Sequence, residues 1–260
     1  MKNLVIGNTS QLSYYFPNNY IKLSSRKLDY KNLYEERYDR VYLCFADQRT
    51  YIEKNEQDFI DINYTYTLEI INFFKNISNK VIVYSTSELW NNVEGPVDVN
   101  MPYNYNYSPY IKSKQILCDH INSLKIYYPN IIILYPFNFN SPYRKEGYLF
   151  GKIFDSIINE KVIEIGNTDF SRDLIHPSYV VEKSIIAEKD DLIGGGNLIN
   201  INKFIKDLYK IMNMDYDYYV KINGKYNLSL KRKEFFYKTE NKCSYESLLD
   251  KTIKDIKKLK

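Results

Sequence analysis

Apolar and polar positions along the chain fall into two alternating kinds of segment. Short apolar runs recur at Leu4-Val5-Ile6, Ile21-Lys22-Leu23, Val41-Tyr42-Leu43-Cys44-Phe45-Ala46, Val81-Ile82-Val83-Tyr84 and residues 131–135. Runs this short, rich in β-branched residues and bounded by polar clusters, predict buried parallel strands. Longer stretches with apolar residues at helical pitch lie between and after them. The pitch predicts helices over residues 59–76 (through Ile62, Tyr66, Ile70, Phe73 and Phe74), 110–127, 148–159 and 244–259. The last carries Leu248, Leu249, Ile253 and Ile256 on one face. Strand–helix alternation implies an α/β fold: a doubly wound parallel sheet with helices on both faces. A cofactor domain over 1–140 is expected. A smaller substrate-binding lobe over 141–260 would return some segments to the sheet.

Composition narrows the picture. The chain has 260 residues, enough for a sizeable core, and 44% apolar residues. No 18-residue apolar run is present, so no membrane span is expected. The N-terminus lacks a signal-peptide pattern, which makes the cytoplasm the expected compartment. Cys44, Cys118 and Cys243 have neither disulfide nor metal spacing, so no metal is expected. Much of the positive charge sits between residues 231 and 260. It reads as a solvated helix face, and no nucleic-acid partner is implied.

In such a sheet, ligands meet the carboxyl ends of the strands. Gly7, Ser25, Ala46, Thr86 and Asn138 all fall there. The turn after the first strand is the usual place for a pyrophosphate. It keeps Gly7 but has Ser10 and Ser13 where a dinucleotide fingerprint carries glycines. A short helix is expected after it, cut off by Pro17. The second strand ends in Ser24-Ser25-Arg26, with no acid before Asp29. That donor set suits a 2′-phosphate, hence NADP rather than NAD. Gly194-Gly195-Gly196 reads as a turn, with no strand closely before it.

The fourth strand ends in Ser85-Thr86-Ser87, and Tyr110 and Lys114 follow on one face of the next helix. The spacing means little alone. With 28 Tyr in the chain, chance supplies about three Tyr-x-x-x-Lys matches. Tyr148/Lys152 and Tyr179/Lys183 also match, but only Tyr110/Lys114 follows a strand ending in hydroxyls.

Taken together, these segments resemble an extended short-chain dehydrogenase/reductase acting on nucleotide sugars. The family also goes by NAD-dependent epimerase/dehydratase, and its cofactor domain is a Rossmann fold. Gly7-Asn8-Thr9-Ser10-Gln11-Leu12-Ser13 resembles its phosphate loop, and Leu28-Asp29-Tyr30 its adenine segment. Leu43-Cys44-Phe45-Ala46 resembles the strand end beside the cofactor. Ser85-Thr86-Ser87-Glu88-Leu89-Trp90 and Tyr110–Lys114 resemble the catalytic segments. Pro136-Phe137-Asn138-Phe139-Asn140-Ser141-Pro142 and Ser171-Arg172-Asp173-Leu174-Ile175-His176-Pro177 resemble the substrate segments.

The resemblance implies Tyr110 as proton donor, Lys114 as its electrostatic support and nicotinamide-ribose contact, and Thr86 orienting the carbonyl. It implies a cofactor set of Gly7, Thr9, Ser10, Gln11, Leu12, Ser24, Ser25, Arg26, Asp29, Tyr30, Phe45, Ala46 and Lys114. Ser87, Glu88, Asn138, Arg172 and His176 would meet the substrate. Ser87 stands where dehydratases carry an acid, which disfavours dehydration. The expected activity is NADPH-dependent reduction of a nucleotide-linked 4-keto sugar for polysaccharide synthesis. An epimerase and a non-catalytic sugar-nucleotide-binding relative are the alternatives. Pairing of two copies through the long helices is also implied.

Overall fold

A computed structural model of the chain describes residues 1–103, 108–144, 147–223 and 233–260. Part of the loop over 91–109 and the start of the basic end at 231 lie outside the described residues.

The main sheet has six parallel strands. In chain order they are β1 (Lys2–Ile6), β2 (Ile21–Leu23), β3 (Tyr38–Leu43), β4 (Ser78–Tyr84), β5 (Ile131–Pro136) and β6 (Asp191–Ile193). Across the sheet they run β6-β5-β4-β3-β1-β2. Leu4 to Ile6, Val41 to Leu43, Val81 to Val83 and Ile131 to Leu134 are fully buried. This is why those runs read as apolar without alternation. The strand order reverses at β1, whose neighbours are β2 and β3. Such a switch point opens a crevice beyond the carboxyl ends of the strands.

The crossovers are helical, with one exception. β2 leads to β3 through α1 (Tyr30–Tyr34). β3 leads to β4 through α2 (Glu56–Ile60), a π-helical stretch (Asp61–Tyr66) and α3 (Thr67–Phe74). A capping box of Asn55 and Asp58 starts α2. β4 leads to β5 through α4 (Pro109–Leu124), capped by Ser108 with Pro109 at its first turn. The buried stripe of the long β3–β4 helix runs through Phe59, Asn63, Thr67, Ile70, Ile71 and Phe74. Ile62, expected inside, is 39% exposed. The π-helical stretch widens the turn and rotates the stripe away from it.

The exception is β1 to β2, where the expected helix does not form. Ser10, Ser13 and Tyr15 each donate their amide to the carbonyl three residues back, giving successive turns. Ser13 supplies the reason. Its buried hydroxyl lies 2.7 Å from the Asn8 carbonyl and 2.8 Å from that of Ser10. Side-chain bonding of this kind competes with a helical ladder.

The chain divides into two compact units. One comprises Met1–Leu89, Tyr105–Pro136 and Val180–Ile193 and carries the main sheet. The other comprises Trp90–Asn104, Phe137–Tyr179 and Gly194–Lys260. The second unit has a small sheet in which Ser171–Ile175 lies between Leu198–Asn200 and Asn138–Phe139. Its core is built by α5 (Leu149–Asn159), α7 (Ile201–Ile211) and α9 (Tyr245–Leu259) around Phe154, Phe204, Leu208 and Ile256, with α6 (Pro177–Ile185) and α8 (Tyr216–Tyr219) between them in sequence.

The triple glycine follows β6 directly, against the expectation that no strand comes close before it. It still serves as a turn. The buried Asp173 carboxylate takes the amides of Gly195 at 2.6 Å, Gly196 at 3.0 Å and Tyr237 at 2.9 Å. The loop therefore cradles an anion of its own chain. Burial pushes the Asp173 carboxyl up to about 6 against the pull of those three donors. A Cβ on Gly194 would lie 2.6 Å from that carboxylate.

Candidate active site

Helix α4 is fastened to the end of β4 by two buried contacts. Lys114 is 2% exposed, and its Nζ donates to the Tyr84 carbonyl at 2.9 Å. One turn further on, Cys118 Sγ donates to Ser85 Oγ at 3.1 Å. Burial lowers the Lys114 ammonium to about 8. Thr86 comes next on the β4 side. Its Oγ1 accepts from the Glu88 amide at 3.2 Å and starts the 3₁₀ turn Ser87–Trp90. Thr86 and Ser87 are buried, and Glu88 is half-buried. Tyr110 is half-buried at the start of α4, one turn before Lys114, with its ring edge-on to Phe59 at 6.3 Å.

Sequence reasoning missed a second brace. Asn63, fully buried, donates to the Asp47 carbonyl at 2.9 Å and to Ser113 Oγ at 3.1 Å, and accepts from the Asp47 amide at 2.7 Å. Ser113 donates in turn to the Tyr110 carbonyl at 2.7 Å. One amide thus joins the loop after β3 to the turn of α4 that carries Tyr110. Asp47 anchors its own loop: its carboxylate takes Arg49 Nη2 at 2.7 Å and also Lys54. Burial raises this carboxyl, but the bonds from the two cations hold it well below the usual range. The available signal was a polar residue on the stripe between Phe59 and Ile70.

On the dinucleotide side, Gly7 has φ +106°, and a Cβ there would lie 2.9 Å from the Cys44 backbone. Only glycine lets β1 pass the end of β3 so closely. The Gly7 and Asn8 amides both bond to the Leu23 carbonyl, at 2.8 and 3.1 Å. Thr9 is exposed, Ser10 half-buried, and Gln11 and Leu12 buried. Ser24, Ser25, Tyr30, Phe45 and Ala46 are half-buried at the same edge. Ser24 Oγ accepts from the Arg26 amide at 3.3 Å. The Arg26 guanidinium is exposed, and among the described residues no hydrogen bond or ion pair holds it. Asp29 caps α1 and places both carboxylate oxygens on Asn32, at 3.3 and 2.6 Å.

These residues fit a dinucleotide at the adenosine end, where a fork of donors stands free beside small hydroxyl residues. At the pyrophosphate end no helix N-terminus follows Gly7. Single turn amides would do the work that a helix dipole does elsewhere.

The substrate candidates of the second unit converge on its small sheet. Asn138 is half-buried and pairs with Leu174 across the strands. The buried Arg172 donates to the Ser171 carbonyl at 2.7 Å, with its guanidinium 4.6 Å from the Phe170 ring centre. His176 is also buried, but both ring nitrogens are engaged within the protein. Nδ1 accepts from the Ser178 amide at 3.2 Å, so Nε2 carries the hydrogen that faces Asp255 Oδ2 at 3.1 Å. His176 therefore ties α9 to the motif instead of offering a nitrogen outward. Among the described residues, no cluster of His, Cys, Asp or Glu side chains is arranged to hold a metal ion. No described helix is long and apolar enough to cross a membrane.

A Gly-turn at the switch point, hydroxyls ending β4 and a Tyr–Lys helix beside them are the parts that a dinucleotide-dependent dehydrogenase/reductase site would use. The sequence model described as the NAD dependent epimerase/dehydratase family matches residues 10–201, and the chain belongs to that family. It is accordingly an NAD(P)-dependent enzyme of the epimerase/dehydratase type. A search of curated proteins returned no match.

Solved structures share the fold at low identity. A UDP-glucose 4-epimerase from Thermotoga maritima with UDP-glucose superposes with TM-score 0.80 at 16% identity, over 99% of each chain. A UDP-glucuronic acid 4-epimerase from Bacillus cereus, in complex with UDP-glucuronic acid and NAD, gives 0.80 at 18% over all of both chains. RMD from Pseudomonas aeruginosa, complexed with NADPH, gives 0.79 at 15% over 99% of this chain and 100% of that one.

Proposed function

We propose that the chain is a cytoplasmic NADPH-dependent reductase of a nucleotide-diphosphate-linked 4-keto sugar, serving polysaccharide precursor synthesis. The observation that carries this reading is Arg26, a free guanidinium beside Ser24 at the end of β2. A 2′-phosphate would meet a fork of donors there, and the first acid beyond β2, Asp29, already accepts from the amide and side chain of Asn32. The turn-built loop after Gly7 supports the same reading. It suits a cofactor that must leave after each turnover.

The dinucleotide supplies the hydride. Tyr110 gives its phenolic proton to the oxygen that becomes the alcohol. Lys114, buried one turn away, stabilises the phenolate left behind. Thr86 accepts from the Glu88 amide and so keeps its own hydrogen for the ketone oxygen. Ser87 and Glu88 line the same turn. Asn138 and Arg172 supply amide and guanidinium donors to the diphosphate or the nucleotide. His176 positions that segment through Asp255.

An epimerase is the second reading, supported by the 4-epimerases that share the fold. The two separate in one experiment. The purified protein is mixed with NADPH and a panel of nucleotide-linked 4-keto sugars, and nicotinamide absorbance is followed. A reductase leaves purification without dinucleotide and consumes one NADPH per sugar reduced. Tightly held NAD and inversion of a sugar centre without net oxidation would overturn the proposal. Binding of a sugar nucleotide with no response to either dinucleotide would leave a non-catalytic relative.

A further inference from the structure

Tyr66 closes the π-helical stretch, and its hydroxyl donates to the Ser25 carbonyl at the end of β2. Its ring lies against Phe45, just past β3, with centroids 5.7 Å apart and planes at 54°. One side chain therefore spans the carboxyl ends of β2 and β3 on the adenosine side of the crevice. Burial, with Glu69 acting in the same direction, raises the Tyr66 phenol above its ordinary range. The hydroxyl keeps its proton at neutral pH and stays a donor.

The residue it holds is well placed. Ser25 sits between Ser24, whose Oγ accepts from the Arg26 amide, and Arg26, whose guanidinium is exposed. Fixing the Ser25 carbonyl fixes the backbone from which both donors project. Asp29, the first acid beyond β2, is committed to Asn32. Next to it the Tyr30 ring is turned onto Phe73 at 4.7 Å. Phe45 and Tyr66 thus pack their rings together at the carboxyl ends of β3 and β2, where an adenine ring would need a flat apolar surface.

We propose that Tyr66 is a specificity-determining residue for the dinucleotide. Its ring, with Phe45, forms the wall for the adenine. Its hydroxyl holds Ser25 so that Ser24 and Arg26 meet a 2′-phosphate. The proposal rests on the NADPH reading above, and the two roles of the side chain separate by substitution.

NADPH and NADH are titrated into the full-length protein by nicotinamide fluorescence, for the wild type, Tyr66→Phe, Tyr66→Leu and Arg26→Ala. Tyr66→Phe keeps the ring and loses one hydrogen bond; it weakens NADPH about fivefold and NADH less than about twofold. Tyr66→Leu loses the ring and weakens both dinucleotides about tenfold. Arg26→Ala weakens NADPH about tenfold and leaves NADH unchanged.

Equal losses of NADPH and NADH in Tyr66→Phe, or none, overturn the role of the hydroxyl. If Arg26→Ala discriminates while Tyr66→Phe does not, this inference fails and the NADPH reading stands. If the wild type binds NADH as tightly as NADPH and Arg26→Ala changes neither, both fall. Thermal melting without dinucleotide accompanies each titration. Should Tyr66→Leu unfold, Tyr66→Phe, which preserves packing, decides.

Discussion

Around β4 and α4 the chain is held by buried side chains; around β1 and β2 it is held by turns. In the first region, Lys114 reaches the Tyr84 carbonyl and Cys118 reaches Ser85. Asn63 bonds to Asp47 and Ser113, and Ser113 to Tyr110. In the second region, Gly7 passes the Cys44 backbone and Ser13 closes its own loop, while Lys22 reaches back to the Phe16 carbonyl at 3.0 Å. The contrast separates two requirements. Proton transfer needs geometry fixed to fractions of an ångström, which interlocked polar groups supply. On the proposed reading a cofactor that exchanges needs a grip that can release, which a loop without a helix dipole suits.

The largest effect should come from the braced region. On the proposed role Tyr110→Phe removes only the proton donor, so turnover should fall about 10³-fold with dinucleotide affinity unchanged. Single-turnover kinetics beside a binding titration checks this; unchanged turnover would remove Tyr110 from its role. Asn63→Ala breaks the brace itself. It leaves the Asp47 amide, its carbonyl and Ser113 without their buried partner, at a cost of about 3 kcal/mol in a urea unfolding curve. A loss under about 1 kcal/mol would mean water replaces the amide, and that the two regions differ less than their bonds suggest. Gly7→Ala attacks the other side. A Cβ 2.9 Å from the Cys44 backbone at φ +106° should cost about 2 kcal/mol by the same measurement. It should weaken dinucleotide binding as well, because the turn must shift.

The sequence made part of the braced side readable and hid the rest along with the turns. Apolar runs such as Val81 to Tyr84 declared the parallel sheet, because a strand buried on both faces has no polar alternation. Ser108 and Pro109 begin α4 by local rules that a sequence displays. The missing first helix was hidden because Leu12 and Phe16 lie at helical spacing and both are buried. Whether Ser13 caps a turn or rides on a helix depends on carbonyls that only the folded loop presents. Asn63 was hidden differently. Its place on the apolar stripe was a local signal, but the three hydrogen bonds it makes were not, since its partners Asp47 and Ser113 are 16 and 50 residues away. His176 belongs with it: the His-Pro segment was visible, but Asp255, 79 residues on, was not.

Lys114 sharpens the comparison by a change of pH, with the smallest effect of the four. Its ammonium is lowered to about 8 by burial, against an unfolded value near 10.4. On the proposed roles turnover should fall as pH rises through about 8 and level off about tenfold lower, as Tyr110 loses the charge that would support its phenolate. Stability should move the other way. Between about 8 and 10.4 the unfolded chain binds the proton that the folded chain has released, so this group's contribution to folding improves with rising pH. Below 8 the cost of burying the charge is fully present. A Lys114→Met variant removes the titration, so the wild type should gain stability relative to it across that window while losing turnover. Parallel stability curves for the two proteins would show that the Tyr84 carbonyl alone keeps Lys114 charged, and that the brace at β4 carries no burial cost.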